Sequence, residues 1–405
     1  MAPPVWLASI AAFAAFSTVD CRGASAPPGT PVATHGMLSV RGAQILDQRG
    51  DPVQLRGMSL FWSQWMGQYW NADVVNWLVQ DLRVNFVRAA MGVVPDGYLA
   101  NITAEKAKLV SVVDACIDAG IYVMIDWHDH EATKTAHTDA AMAFFDEMAS
   151  TYGHFPNVLF ETYNEPLDDD VADNWSSALK PYHERLVRVI RNHTQNIITL
   201  GTRAWSQKVD EACQDPVAGT NLAYTLHFYA QVHYGELRVG AKAAMERGCA
   251  LFISEWGTGF EVLDLNSAKL WLDFADEHNL SNANWGVYAK QGEANALLTY
   301  HADENTTEGG WSMGQLSESG RWVRAYLRGE GAAPAPAPAP FVGCCVGGDG
   351  ACMCGWCSDS LGRCLTCGGS ENPDVEDLCA QDGARSVSWA TACAIAVASA
   401  ILALS

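Results

Sequence analysis

Residues 121–128 read IYVMIDWH, an apolar, partly β-branched run that ends in an acid, an indole and an imidazole. A run of this length and composition predicts a buried strand rather than a helix. Seven more segments have the same form: Val53–Leu60, Asn85–Ala90, Val158–Asn164, Asn196–Leu200, Leu222–Phe228, Leu251–Glu255 and Asn282–Tyr288. Amphipathic stretches such as Ala104–Ala119 and Asn174–His193 lie between them. Eight strand–helix units in roughly 290 residues are the expected content of an α/β chain closed into a (β/α)8 TIM barrel. A doubly wound open sheet is the alternative, but no Gly-rich dinucleotide fingerprint follows the first strand. Gly36–Asp51, with Arg49-Gly50-Asp51 as its turn, predicts a hairpin closing the barrel floor.

The strand ends carry the ionisable and aromatic residues. Arg88 ends the second run, Asp126-Trp127-His128 the third and Asn164-Glu165-Pro166 the fourth. His227 and Tyr229 end the sixth, Glu255-Trp256 the seventh, and Trp285 lies on the eighth. In a barrel these C-terminal tips converge on one face. Glu165 and Glu255 end strands three apart, so they are expected to face each other across the mouth. Hydrolysis of a glycosidic bond needs one protonated and one ionised carboxyl group in that relation. Arg88 would hold Glu255 ionised, and burial would keep Glu165 protonated. Taken singly, either Glu reads equally well as a structural acid; the pair is what points to chemistry. His128, His130 and Asp126 read alternatively as metal ligands, since residues two apart on a strand share a face. The two-carboxylate chemistry requires no metal and no other cofactor, so none is expected, and His130 is expected to pack or hydrogen-bond near the rim.

Eight blocks carry a more specific likeness: LRGMS (55–59), NFVRAAM (85–91), YVMIDWHDH (122–130), ETYNEP (161–166), GTRAWSQKVD (201–210), YTLHFYAQVH (224–233), ISEWGT (253–258) and NWGVYAK (284–290). In this order they resemble glycoside hydrolase family 5, a cellulase family in a clan of retaining (β/α)8 enzymes, and most closely its bacterial-type endoglucanases. The resemblance implies an endo-β-1,4-glucanase with Glu165 as acid/base and Glu255 as nucleophile. It implies that Asn164 bonds the sugar 2-hydroxyl, that Arg88 and Tyr229 orient Glu255, and that His128 and His227 hold the sugar at the cleavage subsite. Trp285 would be the stacking platform, Trp65 and Lys290 with Glu293 would line distant glycone subsites, and Trp205 the aglycone side. Two departures bear on the glycone subsites. Leu60-Phe61-Trp62 stands where many relatives carry a histidine, and Ala289 precedes Lys290 where relatives often carry Asp. Sibling specificities (mannan, xylan, mixed-linkage glucan, chitosan) and a non-catalytic carbohydrate-binding or cell-wall protein remain as alternatives, although both glutamates are present.

The 405-residue chain has a formal net charge of −21, which argues against a nucleic-acid partner and suits an enzyme acting on a neutral polymer such as β-glucan. Residues 1–26 read as a signal peptide, with an apolar Val5–Phe16 run and Ala24-Ser25-Ala26 as a cleavage site. Sequons at Asn101, Asn174, Asn192, Asn279 and Asn305 are compatible with a secreted glycoprotein. The catalytic domain is expected over residues 36–329, followed by a Pro-Ala linker at 331–340 and a Cys-rich module at 341–380. Of thirteen cysteines, eight lie between Cys344 and Cys379; disulfides fit an exported chain better than zinc does, and the module reads as carbohydrate-binding or as purely structural. Cys213 and Cys249 are a candidate pair, and Cys116 reads as a buried helix residue. The apolar tail at 387–404 reads as a glycolipid-anchor signal or a short membrane anchor, either of which would tether the protein at a cell surface. A monomer is expected.

Overall fold

The computed structural model describes residues 26–302 and 306–330. Residues 1–25 of the expected signal peptide, Asn305, the Pro-Ala linker, the Cys-rich module and the apolar tail lie outside the described residues. No helix among the described residues is long and apolar enough to cross a membrane.

Two short strands, β1 (Ser39–Arg41) and β2 (Gln44–Leu46), pair antiparallel. Eight strands then close into a parallel barrel: β3 (Arg56–Leu60), β4 (Phe86–Gly92), β5 (Tyr122–His128), β6 (Val158–Glu161), β7 (Ile198–Leu200), β8 (Leu222–Tyr229), β9 (Ala250–Gly257) and β10 (Asn282–Val287), with β10 returning to β3. Each expected run contributes a strand. β6 stops at Glu161, earlier than expected, so Asn164 and Glu165 stand on the loop beyond it. Their backbone N–H groups donate to the carbonyls of Trp127 (3.2 Å) and Asp129 (3.4 Å), which ties that loop to the end of β5.

The helix expected at Ala104–Ala119 spans Ile102–Ala119. Asn101 caps it by accepting from the Ala104 N–H, and Gly120, at φ 69°, closes it in the left-handed conformation. The stretch Asn174–His193 divides into a π-turn, Trp175–Leu179, and a helix, Lys180–Arg191. Pro181 has no N–H for the carbonyl four residues back, so regular α-geometry begins only around it.

The floor hairpin forms, but not about the expected turn. Its last pair is Arg41 with Gln44, so the chain reverses at Gly42-Ala43, with Gly42 at φ 57°. Arg49-Gly50-Asp51 makes a separate turn around Asp47, whose carboxylate accepts the N–H groups of Arg49 (2.8 Å) and Asp51 (3.0 Å). Asx chemistry stabilises this second reversal independently of strand pairing.

Strand alternation sorts the barrel into layers. Phe86, Tyr122, Met124, Leu159, Ala223 and Phe252 point inward and fill the lower barrel against Leu38, Ile45 and Val53 of the floor. Their neighbours Val87, Val123, Ile125, Phe160, Leu226 and Leu251 point outward to the helices. The Tyr122 hydroxyl donates to the Gly36 carbonyl at 2.7 Å and pins the floor to the barrel.

Candidate active site

Two residues above each inward apolar side chain, the same alternation places a polar one. Arg88 follows Phe86, Asp126 follows Met124, Glu161 follows Leu159 and Thr225 follows Ala223, and all four are fully buried. Arg88 is the hub of this layer. Its Nε donates to Glu161 Oε2 (2.7 Å) and Nη1 to Glu255 Oε2 (2.8 Å). Nη2 reaches Asp126 Oδ2 (2.9 Å) and Asn164 Oδ1 (2.7 Å). Only a planar guanidinium offers donors in enough directions for this.

One cation among three carboxylates leaves excess negative charge in a dry site, which raises carboxyl pKa values. Burial pushes Asp126 up to about 7 even against Arg88, and burial also raises Glu161. The Asp126 carboxylate, held on the same guanidinium, adds to the rise at Glu161 by repulsion.

A bulge aims the nucleophile candidate. Between β8 and β9 the register runs Thr225 with Phe252, then His227 with Glu255, so β9 carries one extra residue. Ser254 and Glu255 therefore both reach the interior. Glu255 accepts from Arg88 and from the Tyr229 hydroxyl. Across the mouth, Glu165 Oε1 is 2.9 Å from His227 Nδ1, and Oε2 is 3.4 Å from His130 Nε2. One ligand atom each of Glu165, His227 and Glu255 lies within 4.8 Å of the others, a cluster that could also hold a cation. Asp126 and His128 are bonded to each other (2.7 Å), and His130 turns to Glu165, so the H-x-H pair does not form a ligand set with Asp126.

The ionisation of the two glutamates belongs to the coupled cluster around them. Against the upward push of burial, hydrogen bonds from His130 and His227, and their charge when protonated, draw Glu165 well below the usual carboxylate range. Burial and the facing Glu165 carboxylate push Glu255 up to about 7, which Arg88 and Tyr229 only partly offset. Arg88 divides its charge over three carboxylates, whereas Glu165 meets two imidazoles, the expected His227 and the unexpected His130. Both downward effects of His227 need a proton on its Nδ1; with that nitrogen bare, the single proton of the 2.9 Å contact is carried by Glu165.

The aromatic residues gather above β3, β5 and β10. The Trp285 ring lies parallel to His128 (5.3 Å, 8°) and 4.9 Å from Phe61. It is only 6% exposed, so little of either ring face is open. Trp62 sits edge-on to His128 at 4.1 Å and packs on Trp65 at 4.8 Å. Lys290 and Glu293 form an ion pair (2.8 Å) at the partly exposed rim. Trp205 lies on the other side, where its backbone N–H donates to the Pro166 carbonyl (2.7 Å) from a left-handed turn latched to the Glu165 loop. Sequence reasoning missed Glu161, Ser254, Thr225 and Trp62 as parts of the site, and gave His130 no partner. The signal for Glu161 was available: it is two residues past the inward Leu159. Cys213 and Cys249 form a disulfide, and Cys116 is free and buried.

Comparison with known proteins gives this geometry a family. The family model described as cellulase (glycosyl hydrolase family 5) matches residues 46–291. Endoglucanase A of Evansella cellulosilytica is 42% identical over 291 residues, which cover 70% of this chain and 58% of that protein. Endoglucanase Z of Dickeya dadantii is 42% identical over 293 residues, covering 70% and 66%. The chain thus spans less than two thirds of the length of these relatives. The crystal structure of the catalytic domain of a Thermobifida fusca endoglucanase superposes with a TM-score of 0.69 at 30% identity, covering 74% of this chain and all (100%) of that one. With the barrel, the matched segment and the facing glutamates in agreement, the chain belongs to glycosyl hydrolase family 5.

Proposed function

We propose that this protein is a retaining endo-β-1,4-glucanase in which Glu255 is the nucleophile and Glu165 the acid/base. The observation that carries the reading is the approach of the two carboxylates, with oxygens within 4.8 Å. Double displacement needs carboxyl groups about 5–5.5 Å apart, and direct attack by water needs a wider gap. In the first step a Glu255 oxygen bonds to the anomeric carbon as the bond to the leaving oxygen breaks, and Glu165 gives that oxygen its proton. In the second, Glu165 takes a proton from water, whose oxygen displaces Glu255. Arg88 and Tyr229 hold Glu255 in line and accept its changing charge. Arg88 occupies Asn164 Oδ1, which leaves the amide NH2 to meet the sugar 2-hydroxyl. Trp285, His128 and His227 would seat the sugar at the cleavage point, Trp65, Lys290 and Glu293 the glycone beyond it, and Trp205 the aglycone.

Specificity for β-1,4-glucan is supported by the names of the relatives, which are endoglucanases. Export is supported by the apolar N-terminus, the sequons and the Cys213–Cys249 disulfide, since such bonds persist in oxidising compartments. The tail beyond the Cys-rich module would serve as a surface tether. The test is hydrolysis of soluble β-glucan, mannan, xylan and chitosan with the product anomers followed by NMR. Initial β-anomers from glucan are expected; initial α-anomers would rule out the double displacement, and better cleavage of mannan would overturn the glucan assignment.

A further inference from the structure

The hydrogen bonds behind Glu165 do more than hold it in place. His227 is 99% buried between two partners, with Nδ1 on Glu165 and Nε2 2.9 Å from the Ser254 hydroxyl. Ser254 is fully buried, and its hydroxyl donates to Glu161 Oε1 at 2.5 Å. Glu161 Oε1 also accepts from Thr225 (2.8 Å), and Oε2 accepts from Arg88 (2.7 Å). Glu161 is thereby an acceptor on every side, which commits the Ser254 proton to it.

A hydroxyl whose proton is committed can only accept from its other neighbour. Neutral His227 is therefore held with its proton on Nε2 and a lone pair on Nδ1. That lone pair faces Glu165, where two bare acceptors 2.9 Å apart would repel. One proton must lie between them. We propose that Glu161, through Ser254, fixes the His227 tautomer so that Glu165 next to neutral His227 is held in its acid form, which makes Glu161 and Ser254 positioning residues for the first proton transfer. The inference rests on Glu165 being the acid/base of a glycosidase.

Other charged groups face this pair. They are Asp126, His128 and His130 from β5 and the loop after it, Arg88 from β4, Tyr229 and His233 from β8 and its loop, and Glu255 from β9. His233 is pushed down to about 4 by burial, and its Nδ1 accepts the Tyr229 N–H at 2.8 Å, so it stays neutral and fixed. His130 bonds the other oxygen of Glu165 and supplies no acceptor for His227 Nε2. Ser254 alone meets that atom among the hydrogen bonds described.

The test uses the intact protein with Ser254→Ala and Ser254→Thr, and two substrates. Cellotetraose has a leaving group that must be protonated, whereas 2,4-dinitrophenyl β-cellobioside has one that departs unaided. Without the serine hydroxyl the imidazole proton can move to Nδ1 and bond ionised Glu165, so the acid form is lost at lower pH. For Ser254→Ala, kcat/KM on cellotetraose at pH 7 should fall about tenfold, with the alkaline limb lowered by about one pH unit, a fraction of what a general acid supplies. The aryl cellobioside should remain within about twofold, since it needs none of that assistance, and Ser254→Thr should restore both profiles. An equal loss on both substrates, or an alkaline limb that stays in place, would mean a merely structural serine and overturn the proposal. Glu165→Gln separates the underlying reading. If it loses the aryl substrate as severely as cellotetraose in kcat/KM, Glu165 is not the acid and the inference falls with it.

Discussion

Replacing Glu255 by Gln should destroy turnover and yet stabilise the fold, and the size of the effect should depend on pH. The carboxyl is 97% buried, and burial with the facing Glu165 carries its pKa from 4.5 to about 7. At about 1.4 kcal/mol per pH unit, ionising it in the folded protein costs up to about 3 kcal/mol more than in the unfolded chain. Below pH 4.5 both states hold the proton and the cost is absent. It grows as pH rises from 4.5 to about 7 and is constant above, because the folded-state value is the raised one. Gln has nearly the same shape, its oxygen can still accept from Arg88, and its amide can donate to Tyr229. Arg88 keeps Asp126 and Glu161 as counter-charges. Urea unfolding followed by tryptophan fluorescence should therefore place Glu255→Gln close to wild type at pH 4.5 and about 1–3 kcal/mol more stable at pH 8. Turnover on carboxymethylcellulose should fall by roughly 10⁴-fold or more, as for other removed nucleophiles. A stability difference that does not change with pH, or a variant weaker than wild type at pH 8, would refute the account of the charge cluster. Near wild-type turnover would refute the nucleophile.

Arg88→Lys should lower stability by about 3–5 kcal/mol, because one ammonium cannot serve Asp126, Glu161 and Glu255 together; a thermal midpoint within about 2 °C of wild type would contradict the hub. Trp285→Ala removes a ring packed between His128 and Phe61, and should cost about 3 kcal/mol of stability. It should also lower kcat on cello-oligosaccharides more than it raises KM, whereas a pure KM effect would make Trp285 a simple binding surface. Ending the chain after Glu330 should leave activity on soluble glucan unchanged, since the last helix, Glu318–Leu327, is anchored to the barrel side by the Arg324–Asp81 pair (2.7 Å); a misfolded truncation would show that the barrel needs the segment beyond.

The barrel itself was legible in the sequence. Eight short apolar runs ending in polar residues are a local pattern, and strand period fixes which residues share a face before any strand finds its neighbours. That alone put Arg88, Asp126, His128, Glu165, His227, Glu255 and Trp285 at one end of one domain. Their partnerships were not legible, because they join strands far apart in the chain. Nothing local says that Glu161 is bonded to Arg88 73 residues before it, or that His130 turns to Glu165. The extra residue in β9 that brings Ser254 inward beside Glu255 appears only in the register with β8. The surroundings that set ionisation were not legible for the same reason. A carboxyl pKa is set by burial and by every charge within a few ångströms, and the sequence supplied a few neighbours of Glu255 where the closed barrel supplied the whole cluster.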